Sequence, residues 1–88
     1  MRGLLWRPVL SPQQALLIAP CSSVHTFGMS YGLDLIYLNR DWTIRKLVSE
    51  LPPRRMSACI GAAMVVEMHP GRIRELGLHT GQQLRWEN

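Results

Sequence analysis

The stretch Leu33-Asp34-Leu35-Ile36-Tyr37-Leu38, with the turn Asn39-Arg40-Asp41 and the return segment Trp42–Ser49, decides how this chain folds. Side chains alternate across a strand, so Leu33, Leu35 and Tyr37 share one face while Asp34, Ile36 and Leu38 share the other. Both faces are apolar, which marks a central strand. Asn, Arg and Asp in succession read as a turn, because such side chains satisfy backbone groups and tolerate special dihedrals. Trp42–Ser49 then returns as a second strand, with Ile44 and Val48 on one face and Arg45 and Leu47 on the other. Together the two make a hairpin.

Working outward, Gln14–Ala19 reads as a short buried strand ended by Pro20. Met1–Leu10 can form a short helical turn through Leu4 and Leu5, stopped by Pro8. Leu51–Ser57 reads as a polar, proline-rich loop carrying Arg54 and Arg55. Ala63–Met68 is a further strand, with Met64, Val66 and Met68 on one face. Pro70 opens a short helix at a position where its missing N–H costs nothing. Ile73 and Leu76 form the buried side of that helix. Gly77 is placed to end it in a left-handed conformation, with Leu78 folding back on the last turn. His79–Gln82 is a turn and Gln83–Trp86 a final strand. The expected fold is α+β, mainly β: a single domain over residues 1–88, with a small antiparallel-rich sheet or barrel and one or two short helices.

Composition agrees with a folded domain. Of 88 residues, 47% are apolar and 18% charged, which excludes general disorder. Seven glycines and six prolines are too few for a low-complexity chain. Arg7, Pro8 and Pro12 interrupt the N-terminal apolar residues, so no signal peptide is readable. Pro20 before Cys21 is a poor fit to a lipoprotein site. No apolar run approaches the ~20 residues of a membrane span. The expected location is therefore the cytoplasm.

The run Cys21-Ser22-Ser23-Val24-His25-Thr26-Phe27-Gly28-Met29, followed by Leu33–Leu38, resembles domain of unknown function family 192, a small conserved bacterial and archaeal domain. So do Arg2-Gly3-Leu4-Leu5-Trp6-Arg7 and Leu76-Gly77-Leu78-His79-Thr80-Gly81-Gln82. The resemblance covers nearly the whole chain. It implies a mainly β domain with one or two short helices, no established activity, and many relatives that carry an export signal. It also implies a glycine at the hairpin position of Trp42, and one more strand ahead of Arg2. Either the chain starts further upstream or a sheet edge is left unpaired, and an unpaired edge invites association into oligomers.

No complete catalytic set and no cofactor motif is readable. Cys21, His25 and Cys59 are the weak candidates for a metal, but zinc normally takes four ligands and only one short spacing is present. Two reduced, partly buried thiols are the simpler reading. His25 can donate a ring hydrogen bond to a backbone carbonyl or to Asp34. Asp34 lies in an apolar strand, where a bare carboxylate is costly. The Ser22–Thr26 segment offers it hydroxyls and N–H groups. Arg54, Arg55, Arg72, Arg74 and Arg85, with Trp42, Trp86 and Tyr31, could serve a nucleic acid. The charges are scattered, no motif accompanies them, and a net charge of +4 is a weak signal.

The expected function is a binding or accessory module without catalysis, acting on a protein or a small ligand. Its surface would centre on Ser22, Ser23, His25, Thr26, Phe27, Met29, Tyr31 and Asp34. The alternatives are a small enzyme or metal site using Cys21, His25 and Asp34, and a weak nucleic-acid binder. A chain this short is expected to have little room for a closed pocket of ~300 Å³ or more.

Overall fold

The central hairpin forms as its pattern demands. In the computed structural model, which describes residues 8–88, strands β4 (Leu33–Leu38) and β5 (Ile44–Leu51) pair antiparallel. The other side of β4 pairs antiparallel with β7 (Met64–Met68). Strand β2 (Leu16–Ile18) extends the sheet beyond β7, giving the order β2-β7-β4-β5. Every residue of β4 is buried, because both of its faces are covered.

One face of this sheet packs Ile36, Leu38, Met64, Val66 and Met68 against Leu10, Ile73, Leu78 and Leu84. The covering residues come from two sources. One is a parallel pair formed by β1 (Val9–Leu10) and β8 (Arg85–Trp86). The other is the segment around helix α1 (Arg72–Leu76). The opposite face packs Leu33, Leu35, Tyr37 and Val65 against Val24, with Cys21, Met29 and Cys59 half-buried beside them. Its cover is an antiparallel ribbon of β3 (Ser23–His25) and β6 (Met56–Ala58). The protein is thus mainly β, with one short helix among the described residues.

Several expectations change. The strands lie in three separate sheets and close into no barrel among the described residues. The segment read as a loop over Leu51–Ser57 contains the start of β6, and β3 was not expected at all. Each of these strands is three residues long and turns one side chain inward, so neither shows an apolar alternation. β2 is narrower than Gln14–Ala19, and as an edge strand it is half exposed rather than buried. The helical turn expected over Met1–Leu10 lies largely outside the described residues, and Val9–Leu10 is strand. The helix begins at Arg72, two residues beyond Pro70, with Gly71 at its N-cap. Gly77 ends it with φ 64°, as expected, and the Leu78 N–H donates to the Ile73 carbonyl at 3.1 Å.

The second strand is Ile44–Leu51 rather than Trp42–Ser49, and Ile44 and Val48 do not share a face. Tyr37 pairs with Lys46 but Leu38 pairs with Ile44, so Arg45 is an extra residue on β5. One inserted residue reverses the facing of everything beyond it. A second irregularity, between the pairs Leu33–Leu51 and Leu35–Val48, leaves Glu50 at φ 54°. In the hairpin turn Trp42 adopts φ 72°, the left-handed region that glycine favours. Its ring stacks on Trp86 with centroids 6.4 Å apart, and both rings pack against the core.

Asp34 is fully buried, and its partners are not in the Ser22–Thr26 segment. Alternation turns it to the sheet face away from the ribbon. Its Oδ1 accepts the Glu50 N–H at 2.7 Å, the donor freed by the second bulge. Its Oδ2 accepts the Ile73 N–H at 2.8 Å. That donor is one of the orphan amides of a helix start, where Gly71 offers no side-chain cap. Asp34→Ala strips the acceptor from one buried and one part-buried amide. Hydrogen bonds to a charged group are worth about 1.5–3 kcal/mol each, so a loss of about 3 kcal/mol or more is expected. Urea denaturation measures it, and a midpoint equal to that of the wild type refutes the assignment.

Candidate functional site

The Cys21–Gly32 stretch divides into two parts with different duties. Its first part is the ribbon strand β3. Val24 points inward and the flanking Ser23 and His25 point to solvent. His25 therefore reaches neither a carbonyl nor Asp34; its ring stacks on Phe27 at 5.3 Å between centroids. Ser22 and Ser23 are exposed.

Thr26 is fully buried and already satisfied. Its hydroxyl donates to the Pro52 carbonyl at 2.7 Å and accepts the Arg55 N–H at 3.0 Å. Its own N–H donates to the Arg55 carbonyl at 2.9 Å, and its carbonyl accepts the Arg54 N–H at 3.2 Å. Thr26 fastens the loop to the 52–55 turn and leaves nothing free for a ligand. Thr26→Val keeps the shape and removes the hydroxyl, and should cost about 1–3 kcal/mol through the unpaired buried groups. Thr26→Ser should cost less. Thermal melts that rank valine at or above serine would contradict this role.

The candidate metal and enzyme residues are not brought together. The Cys21 thiol donates to the Ser23 carbonyl at 3.1 Å. Cys21 and Cys59 are both free and half-buried. Asp34 is enclosed on the far side of the sheet. Among the described residues no three His, Cys, Asp or Glu side chains are placed to hold a metal ion.

The arginines do not form one basic face either. Arg72 pairs with Glu75 at 2.6 Å, Arg85 pairs with Glu87, and Arg74 lies 3.9 Å from Glu50. Only Arg54 and Arg55 of the five stand exposed without an acidic partner among the described residues. Trp42 and Trp86 are occupied with each other.

The second part of the loop borders a groove. Met29 and Tyr31 form one wall, the Pro12–Leu16 segment the other, and Leu33, Glu67, Met68 and His69 the floor and end. The groove is open to solvent and spans about 440 Å³; it is a surface cleft, not the closed pocket for which so short a chain has little room. Tyr31 is half exposed, and its ring lies tilted toward that of His69, with centroids 6.3 Å apart. Gly32 makes this wall possible: a Cβ there would lie 2.5 Å from the Leu51 carbonyl oxygen, so only glycine lets the loop pass so close to the end of β5.

Glu67 is the residue that sequence reasoning passed over. It lies in β7 opposite Leu16 on one side and Leu35 on the other. Burial raises the pKa of its carboxyl above the ordinary carboxylate value. No lysine or arginine pairs with it among the described residues. The signal was present in Met64-Val65-Val66-Glu67-Met68, an acid inside an apolar strand, the same anomaly that drew attention to Asp34.

A carboxyl whose pKa is raised by folding favours the fold while it is protonated. That contribution is lost as pH rises through the folded value. At pH 7 the ionised Glu67 therefore works against stability. Glu67→Gln should melt slightly higher than the wild type at pH 7. The difference should shrink as the pH is lowered through the carboxylate range. A glutamine variant that melts lower at pH 7 would show that the charge is compensated.

Similarity to known proteins is confined to the family and the fold. A family model described as "Uncharacterized ACR" matches residues 1–86. No curated protein matches the chain. A protein of unknown function from Novosphingobium aromaticivorans DSM 12444 superposes with a TM-score of 0.74 at 18% identity, covering 88% of this chain and 60% of that one. A candidate transcription regulator from Sinorhizobium meliloti 1021 superposes with a TM-score of 0.64 at 19% identity, covering 81% of this chain and 54% of that one. The chain thus spans less than two thirds of either solved neighbour, and at these identities the likeness is one of fold. Among the described residues no helix is long and apolar enough to cross a membrane.

Proposed function

Because the chain belongs to domain of unknown function family 192, whose description assigns no activity, we propose from its own geometry that it is a small binding module whose working surface is the groove beside Met29 and Tyr31. The observation that carries this reading is the groove itself. Its volume of about 440 Å³ falls within the ~300–1,000 Å³ range of small-molecule sites. Its walls are mostly apolar or aromatic, with a few polar groups among them, which is the usual composition of such sites. The wall is held in place from both ends, by Thr26 at one and by the close approach of Gly32 to Leu51 at the other. A surface fixed in advance loses less entropy on binding.

This reading narrows the loop-centred surface expected from sequence. Of its eight residues, Met29 and Tyr31 line the groove. Thr26 and Asp34 act as internal fasteners, and Ser22, Ser23, His25 and Phe27 stand on or beside the ribbon. Catalysis through Cys21, His25 and Asp34 loses its basis because these groups do not converge. Nucleic-acid binding loses most of its basis, because three of the five arginines lie beside acidic residues and Trp42 and Trp86 stack on each other.

Amide chemical shifts recorded while a fragment library is added test the reading. Perturbations should cluster on Leu16, Met29, Tyr31, Glu67 and His69. A cluster on Arg54, Arg55 and Arg72 with these amides silent would move the site to the basic residues and defeat the proposal.

A further inference from the structure

We infer that the groove selects a small organic cation, an ammonium or guanidinium head on a short aliphatic stem, with Glu67 as its counter-ion and Tyr31 as its aromatic wall. The inference rests on the binding-module reading above and gives it a ligand class.

The first support is charge. The chain carries ten lysines and arginines against six acidic residues, yet among the described residues none that lines the groove is a lysine or arginine. The groove's one acidic group is Glu67, on a protein whose net charge is +4. Among the described residues a cation of suitable size meets no lysine or arginine along the lining and one carboxyl, whereas an anion meets that carboxyl beside the neutral donors of Gln13 and Gln14 and the His69 ring.

The second support is the setting of that carboxylate. Its cross-strand neighbours are Leu16 and Leu35, both apolar, so the sheet offers it no donor of its own. A charge partly removed from water without a partner is unfavourable, and a ligand cation would compensate it. The raised pKa of Glu67 reports the same desolvation. The ionisable groups that share the groove with it are Tyr31 and His69.

The third support is the lining. The rings of Tyr31 and His69 meet at an interplanar angle of 42°, forming an aromatic corner in the lining of the groove. A cation is attracted to the face of such a ring. Met29, Leu33 and Leu16 supply apolar surface for the stem of the ligand. The groove is open, so the cation could be a free amine or the side chain of a peptide; the chemistry of the head is the same.

Four probes separate the outcomes: agmatine, Nα-acetyl-lysine amide with its side-chain ammonium free, neutral butanol and anionic butyrate. Each is titrated into the protein at pH 7.5 while amide shifts are followed. Agmatine, blocked lysine or both should give saturable shifts at Met29, Tyr31, Glu67 and His69. Butyrate should give none there. Saturation by agmatine alone indicates a free amine or guanidine, and saturation by blocked lysine indicates a peptide side chain. Glu67→Gln should weaken cation binding roughly tenfold, since a charge-assisted hydrogen bond is lost. Tyr31→Leu, at an exposed position, should weaken it by a smaller factor. Binding to the wild type should fade as pH is lowered through the titration of Glu67, and the glutamine variant should not show that fading. If butanol or butyrate saturates the same amides as well as agmatine does, the cation assignment fails and the groove remains a binding site. If no probe of any charge moves these amides, the groove reading fails with it. Undiminished cation binding by Glu67→Gln removes Glu67 from the role.

Discussion

A single carboxylate ties together three elements that are far apart in sequence. Asp34 sits in the central strand and holds the bulged end of β5 through Glu50 and the first turn of α1 through Ile73. Both donors lack another partner: one is freed by the bulge, and the other opens a helix without a side-chain cap. A buried charge is tolerated only when its hydrogen bonds are made. The strand, the bulge and the helix start therefore depend on one another. On the other face Thr26 plays a comparable part for the ribbon, and the Tyr37 hydroxyl adds a 3.0 Å bond to Ser57. Each cover of the sheet is thus fixed by packing together with a small number of buried polar contacts.

The parts of the fold that could be read in advance are those with apolar alternation. β4 and β7 carry it on both faces, and their facing assignments agree with the two core clusters. The turn chemistry of Gly77 was equally legible, because a left-handed helix end favours glycine. The ribbon was hidden because Val24 and Ser57 are its inward pair at the middle register, and the pairing energy comes from partners elsewhere in the chain. The bulges in β5 were hidden for a different reason. An inserted residue leaves no mark in the composition of a strand, yet it moved Val48 to the face opposite Ile44. Trp42 shows how context overrides a local preference: a bulky residue occupies a left-handed position that glycine favours, with its ring stacked on Trp86.

The site was less legible than the fold. Two acids in apolar strands look alike in sequence, but their settings differ. Asp34 points where a helix start and a bulge both present free amides. Glu67, opposite Leu35 in the register, projects from the other sheet face, beside a three-residue edge strand, and lines the groove. Only the placement of neighbouring elements distinguishes a fastener from a group left open to a ligand. The loop residues divide in the same way. Their types suggested one recognition surface, whereas the strand pairing of Ser23–His25 spends the first half on architecture.

The bond from Asp34 to Ile73 also bears on how parts of the molecule breathe. A helix of five residues has almost no stability of its own in water. Its first turn is anchored to a strand 39 residues earlier in the chain. Surface helices of this size usually fray on their own and exchange their amide hydrogens through local openings. Here the Ile73 amide is held by a side chain rooted in the most buried strand, so releasing it means disturbing the sheet. The start of α1 therefore belongs to the same cooperative unit as the core. The Pro12–Leu16 wall of the groove is tied to that unit as well, at its far end, where Leu16 pairs with Glu67 in the sheet and Ala15 packs against the core.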